Sequence, residues 1–300
     1  ADFDLSMTNL VAETRWVEQL RQGLQPSAAD LRQHLLTVHQ SRAGFTEACA
    51  ARCRDSEGRT SYEWLADAVE RDGHRRVLDL ACGSGPLLAL LAGRHGAALE
   101  LSGVDMSKDE LGLAAARVPD GLTALHCALA QDMPFFDDGA LDVVLCHWAL
   151  TLMDPVEPVL REVRRVLPAG GRFAAIIDGP MEMAPRYQTA NALIYDAVQR
   201  SVPHYGEIDM GDPRVRTADA LLALAGAVFG RNAVSIEPNI VSLTGDPADV
   251  AREAAGFFYA SFVLPDDERA VMLAELAAAL TDSDGTARFD MPINRLVVDL

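Results

Sequence analysis

The residues best suited to chemistry stand between positions 79 and 105. Asp79 lies in the apolar run VLDLA, and Ala81-Cys82-Gly83-Ser84-Gly85 leads from it into Pro86-Leu87-Leu88. A small-residue loop between a strand and a helix presents backbone N–H groups and the positive end of the helix to a ligand. A dinucleotide site would read GxGxxG, its third glycine allowing close helix–strand packing, with an acid about 20 residues on for the ribose. Here Leu88 holds the third position, and Pro86 removes one amide donor that a pyrophosphate would use. Asp79 would repel a pyrophosphate but suits an amino group or a sulfonium. Asp105, 20 residues after Gly85, can accept two sugar hydroxyls and serves either ligand.

His147 follows the run VVLC and precedes Trp148. An imidazole with a pKa near neutral could take a proton from an acceptor; packing over a bound ligand is the alternative use of it. Between 180 and 230, Tyr187, Tyr195, His204 and Tyr205 gather polar and aromatic groups suited to a substrate pocket, with Trp148 as a further wall. The five cysteines, at 49, 53, 82, 127 and 146, form no CxxC pair, and no His or Cys pair stands near Cys49 and Cys53 to complete a zinc site. Reduced thiols and no metal are expected.

The elements that must position these residues follow from the pattern. Residues 1–74 read as helices: Leu10, Val11, Trp16, Val17 and Leu20 recur at helical spacing, Ser27 opens a second helix, and Thr60 with Glu63 forms a capping box. From residue 75, RRVLDLACG, ALELSGVDMS, LTALHCAL, ALDVVLCHWAL and RFAAIID read as strands alternating with helices. Ser107 with Glu110 reads as a second capping box, and Asp154-Pro155-Val156-Glu157 as the cap and first turn of a helix. NAVSIEPNIVSL and ARFDMPINRLVVDL supply two later strands. Alternation with near-continuous apolar strands predicts an α/β, doubly wound, mostly parallel seven-stranded sheet covered on both faces. We expect a helical cap over 1–74 and a core over 75–300, with a helical lid inserted after the fifth strand at about 180–230.

The loop resembles motif I of the class I S-adenosylmethionine-dependent methyltransferases: Asp79, Ala81, Gly83, Ser84 and Gly85 match it, Ala81 standing where a first glycine is often found. The resemblance runs over 75–178. It implies a Rossmann-like fold, S-adenosylmethionine as cofactor and S-adenosylhomocysteine as product. It implies that Asp105 binds the ribose and Met106 packs on the adenine. In Gln131-Asp132-Met133, it implies that the aspartate accepts from the adenine amino group and Met133 offers an amide and an apolar face. Cys146 and Tyr62 complete the implied cofactor contacts, and His39 and Arg42 are candidates for the cofactor's carboxylate. One departure bears on catalysis. Related small-molecule enzymes carry a histidine about four residues after the position of His147, where this chain has Thr151 and Leu152.

Bulk properties narrow the partner. A net charge of −18 argues against a phosphate-binding surface, and no Asn/Asp-Pro-Pro-Tyr segment follows the fourth strand, so nucleic acid is not expected. No apolar run approaches membrane-spanning length and no leader pattern is visible, so a soluble, cytoplasmic protein is expected, with a homodimer left open. Arginine outnumbers the single lysine, Lys108, which points to a GC-rich bacterium. The expected activity is methyl transfer to an O, N or C atom of a small metabolite in bacterial specialised metabolism. A non-methylating enzyme on the same cofactor, performing cyclisation or rearrangement, and an NAD-dependent oxidoreductase are the alternatives.

Overall fold

A computed structural model describes residues 13–300 apart from Leu122 and Asp209, so the helical spacing read at Leu10 and Val11 lies outside the described residues. Seven strands form one sheet: β1 (Arg76–Leu80), β2 (Glu100–Asp105), β3 (Thr123–Cys127), β4 (Val143–His147), β5 (Arg172–Asp178), β6 (Val234–Gly245) and β7 (Ala287–Asp299), in the order β3-β2-β1-β4-β5-β7-β6. β1 pairs in parallel with β2 and β4, β2 with β3, and β4 with β5, while β7 runs antiparallel to β5. The expected mostly parallel sheet is therefore present. The strand order reverses between β1 and β4, which makes the carboxyl ends of these two strands the place where such sheets hold ligands.

The apolar runs explain the central strands. In β1 every residue after Arg76 is buried, and in β4 Val143 to Cys146 are buried, as parallel strands covered on both faces require. Pro86–His95 packs Leu87, Leu88 and Leu91 inward, which is why leucine rather than glycine stands at position 88. In β2, a Cβ at Gly103 would stand 2.8 Å from a Leu125 methyl and 2.9 Å from one of Leu88, so glycine lets those side chains pack against the strand. The helix expected from Asp154 begins instead at Glu157 and runs to Val166. Asp154–Pro155 is a cis peptide, Val156 occupies the cap position, and its N–H donates to the distant Asp212 carboxylate at 3.2 Å. The helix Phe45–Arg52 had no reading in the sequence, since it opens on Gly44 without a side-chain cap.

The chain divides into two compact units, each assembled from three stretches: the described part of Ala1–Ser56 with Met181–Met210 and Ile240–Pro292, and Glu57–Pro180 with Gly211–Asn239 and Ile293–Leu300. Residues 57–74 thus group with the parallel strands, and 240–292 with the helices before Ser56. The first unit holds the helices Arg15–Arg21 and Ala28–Ser41, the latter opened by the Ser27–Asp30 capping box. It also holds Pro185–Ser201, Pro247–Phe257 and Asp266–Leu280. Among the described residues, no helix is long and apolar enough to cross a membrane.

Within the first unit His34 is fully buried, stacked on Trp16 at 4.6 Å, with Nδ1 2.7 Å from the Thr14 hydroxyl and Nε2 without a hydrogen-bond partner. Burial holds its pKa down at about 3. The unfolded chain, with a histidine near pKa 6.5, therefore binds a proton first, and stability present above that value drains away as pH falls toward 3. Lowering the pH from 7 to 5 should cost about 2 kcal/mol through this residue. Urea unfolding at both pH values checks it: His34→Gln should lose that much less on acidification than the natural chain, and an equal loss would remove His34 as the cause.

Candidate functional site

Three carboxylates surround the loop after β1. Asp79 is 1% exposed in the middle of the sheet, paired through its backbone with Gly103 and Leu145, and its Oδ1 has no hydrogen-bond partner. Burial, and then the charge of Asp105, push its pKa well above the usual carboxylate range. Asp105, at the end of β2, accepts from the Gly83 N–H through Oδ2 at 2.9 Å and from the Ser107 N–H through Oδ1 at 2.8 Å. A carboxylate oxygen can accept more than one donor, so these two bonds leave the sugar-binding expectation for Asp105 open. The third acid, Glu110, reads as a helix cap in the sequence. Its N–H does donate to Ser107 Oγ at 3.3 Å, but its side chain is buried, with Oε2 3.9 Å from where a Cβ on Gly83 would stand. The available signal was position: Glu110 and Ala114 share a helix face, and Ala114 packs against Gly85.

Loop conformation accounts for the small residues. Ala81, Gly83 and Gly85 have φ of 57°, 53° and 83°, all in the left-handed region. A Cβ on Gly85 would meet that of Ala114 at 2.9 Å, so this glycine permits two helices to meet. Gly85 caps Pro86–His95, where Pro86 takes the first turn. Ser84 is buried in the loop. Cys82 and Cys146 are buried thiols whose pKa burial, with the field of Asp79, drives upward, so both are inert walls. All five cysteines are free, Cys49 and Cys53 with sulfurs 3.7 Å apart, and among the described residues no group of His, Cys, Asp and Glu is placed to hold a metal.

Beyond β2 and β3 the expected contacts divide. Met106 is half-buried and its carbonyl lies 3.6 Å from the Cys127 thiol. Gln131 is half-buried and Asp132 exposed, in a turn closed by the Asp132 N–H on the Leu129 carbonyl. Met133 does not fit the role read for it. Its N–H donates to Glu162 at 3.1 Å, Arg165 donates to its carbonyl at 3.0 Å, and its side chain is wholly buried in the core. The Glu162–Arg165 pair claims the backbone groups that a ligand would have used.

At the carboxyl end of β4 the residues stand close together. His147 stacks on Tyr62 at 3.8 Å between ring centres, and its Nε2 is 2.8 Å from the Ser61 hydroxyl. The ring keeps some accessible surface, yet the protein packed round it holds its pKa down at about 3. Trp148 has φ of 55°, a conformation costly for a bulky residue. Two bonds hold it: its N–H to the Ile176 carbonyl at 2.8 Å, and its indole Nε1–H to Asp178 Oδ1 at 2.6 Å. Asp178 was not singled out from the sequence; it stands at the end of β5, beside the end of β4.

The remaining candidates lie in the other unit. Tyr205 is 2% exposed and meets Trp16 and Tyr195 edge-on, each at 5.6 Å. His204 faces Glu207 at 3.0 Å, and Tyr187 stacks on Phe258 and Phe289. His39 is engaged with the Tyr259 hydroxyl at 3.0 Å, and Arg42 lies over the Phe262 ring.

Residues 78–175 match the family described as a methyltransferase domain. The demethylmenaquinone methyltransferase of Symbiobacterium thermophilum is 34% identical over 118 residues, 38% of this chain and 46% of that protein. The 2-phytyl-1,4-naphthoquinone methyltransferase of Synechococcus elongatus is 34% identical over 145 residues, 45% of this chain and 61% of that one. The chain thus spans roughly half the length of the curated relatives it matches. A candidate methyltransferase of an antibiotic biosynthesis pathway from Anabaena variabilis shares the fold, with a TM-score of 0.57 at 15% identity over 84% of this chain and all of that one.

The strained loop gives two opposite expectations. Ala81→Gly should stabilise the chain by about 1 kcal/mol, since glycine adopts the left-handed conformation without a Cβ clash. Gly85→Ala should destabilise by more than that, because its Cβ also collides with Ala114. Chemical denaturation of both variants measures this, and equal shifts of one sign would contradict the loop geometry.

Proposed function

We propose, from the premise that residues 78–175 form a class I S-adenosylmethionine-dependent methyltransferase domain, that the chain transfers a methyl group from that cofactor to a small acceptor. The observation that carries the reading is Asp79, a buried carboxylate whose Oδ1 has no hydrogen-bond partner, under a loop that already spends a backbone N–H on Asp105. With Glu110, three acids gather where a pyrophosphate would otherwise sit, which favours a cationic ligand over a dinucleotide.

In this reading Asp79 holds the amino group of the cofactor, and Ala81, Gly83, Ser84 and Gly85 let its amino-acid end approach the backbone. Asp105 takes the ribose hydroxyls, Met106, Gln131 and Asp132 border the adenine, and Cys146 and Tyr62 line the remaining wall. Bound there, the cofactor supplies a methyl group activated by a cationic sulfur. The protein's part is to hold that group and the acceptor in line, and to exclude water from a centre whose charge disappears during transfer.

The acceptor side is supported more coarsely. The net charge of −18 suits a neutral or cationic small molecule. Relatives named for naphthoquinone-type acceptors support a small, ring-bearing one. We extend the reading to a helical cap over residues 1–74 and a lid at about 180–230, with Tyr187, Tyr195 and His204 as its candidate substrate residues. Tyr205, sealed against Trp16, serves packing better. The reading includes bacterial specialised metabolism and a cytoplasmic setting; of these, the arginine-rich composition supports the bacterial origin.

Asp79 supplies the test. Its folded pKa is raised, so the folded state binds the proton more tightly than the unfolded chain, and stability falls as pH rises through the unfolded value of 3.8. At pH 7, Asp79→Asn should therefore raise the melting temperature of the ligand-free protein while weakening S-adenosylhomocysteine binding tenfold or more, about 1.4 kcal/mol. Thermal shift and calorimetric titration read both. Stabilisation by NADH and none by S-adenosylhomocysteine would overturn the assignment in favour of an oxidoreductase.

A further inference from the structure

The ends of β4 and β5 carry two groups able to accept a proton, His147 and Asp178, and their surroundings differ. His147 has its Nε2 against the Ser61 hydroxyl at 2.8 Å, and Tyr62 covers its face. Asp178 is half-buried, and its Oδ1 accepts the indole N–H of Trp148 at 2.6 Å, its one side-chain hydrogen bond among the described residues. That bond orients the carboxylate. It comes from a residue held in a left-handed backbone conformation by a second bond to β5, and strain of this kind concentrates where a site over-determines geometry.

We propose that Asp178 is the base that takes the proton from the acceptor, with its Oδ2 as the receiving atom, and that the acceptor bears an ionisable O–H or activated C–H. The proposal rests on the methyl-transfer reading above. In the step, the X–H bond breaks and its proton goes to Asp178 Oδ2. The electron pair of X forms a bond to the methyl carbon, and the carbon–sulfur pair stays on sulfur, which loses its positive charge. The carboxylate becomes a neutral acid, so charge balances on both sides.

The electrostatics agree. Burial raises the pKa of Asp178, opposed by the Trp148 hydrogen bond and by the charge of Arg216. A raised carboxylate is a stronger base than an ordinary one, whereas a histidine held at about 3 is a weaker one than usual. An amine acceptor already present as the free base would need neither. The acid therefore selects for phenols, enols and carbon acids.

The test uses the full chain with S-adenosylmethionine, 1,4-dihydroxynaphthalene and a panel of phenols, following S-adenosylhomocysteine release. Asp178→Asn keeps an oxygen for the indole N–H and should bind S-adenosylhomocysteine as tightly as the natural chain. Its kcat/KM should fall about 10²-fold or more and lose the acid limb of the pH profile. Trp148→Phe keeps the carboxylate but removes the hydrogen bond that lowers its pKa, so the acid limb should move to higher pH. His147→Gln should leave the limb in place. A kcat/KM for Asp178→Asn within twofold of the natural chain, or an acid limb that survives in it, overturns the proposal. Failure of the natural chain to bind S-adenosylhomocysteine would overturn the methyl-transfer reading itself. Tight binding without turnover of any O–H or C–H acceptor would overturn only the acceptor class argued here.

Discussion

One carboxylate joins the first two crossovers of the sheet. Through its two oxygens Asp105 receives the backbone N–H of Gly83, in the turn after β1, and that of Ser107, at the start of the next helix. Charge-assisted hydrogen bonds of this kind are among the stronger ones in proteins, and here both donors are backbone groups whose positions define the loops. The shape of the glycine loop, the seat of Gly85 on Ala114 and the proximity of Glu110 to Gly83 all depend on these two turns staying in register. In the proposed methyl-transfer reading the same side chain also receives the ribose, so ligand recognition and loop architecture would share one group.

The two strands that flank the reversal of strand order end in comparable ways. β1 leads into Ala81 and β4 into Trp148, both non-glycine residues with positive φ. Each turn places a backbone segment away from its extended path just where the sheet opens, and each lies beside a carboxylate whose pKa is raised by burial, Asp79 below the first and Asp178 beside the second. Negative charge and strained backbone are therefore concentrated at one end of the parallel strands, while the opposite end carries ordinary ion pairs such as Arg76 with Asp142. Two turns with positive φ at non-glycine residues and two carboxylates with raised pKa thus share that end of the sheet.

Much of this was legible in the residues. Continuous apolar runs marked the parallel strands because both faces are covered, and the capping residues Ser27, Thr60 and Ser107 sit where their spacing placed them. What stayed hidden depends on contacts far apart in sequence. Met133 reads as a ligand contact, but Glu162 and Arg165, a helix away, claim its backbone. Glu110 reads as the capping partner of Ser107, and its burial beside the glycine loop rests on Ala114, one turn on, packing against Gly85. Asp178 reads as a plain strand end because its value comes from an indole 30 residues earlier. The helix starts at Glu157 rather than after Asp154 for a related reason: the donor at Val156 is served by Asp212, not by its neighbour Asp154.

The interleaving of the two units has a consequence for how the molecule is made. Residues before Ser56 complete their unit only with Met181–Met210 and Ile240–Pro292, so a chain emerging from the ribosome must carry those early helices while the parallel strands of the other unit assemble. Vectorial synthesis favours the central strands as the first cooperative structure, and both units are completed only when the stretches after Asn239 have emerged. The same threading restricts inheritance. Neither unit can be cut out or exchanged as one continuous stretch, so new specificities in such a lineage would arise by altering segments in place rather than by shuffling a module.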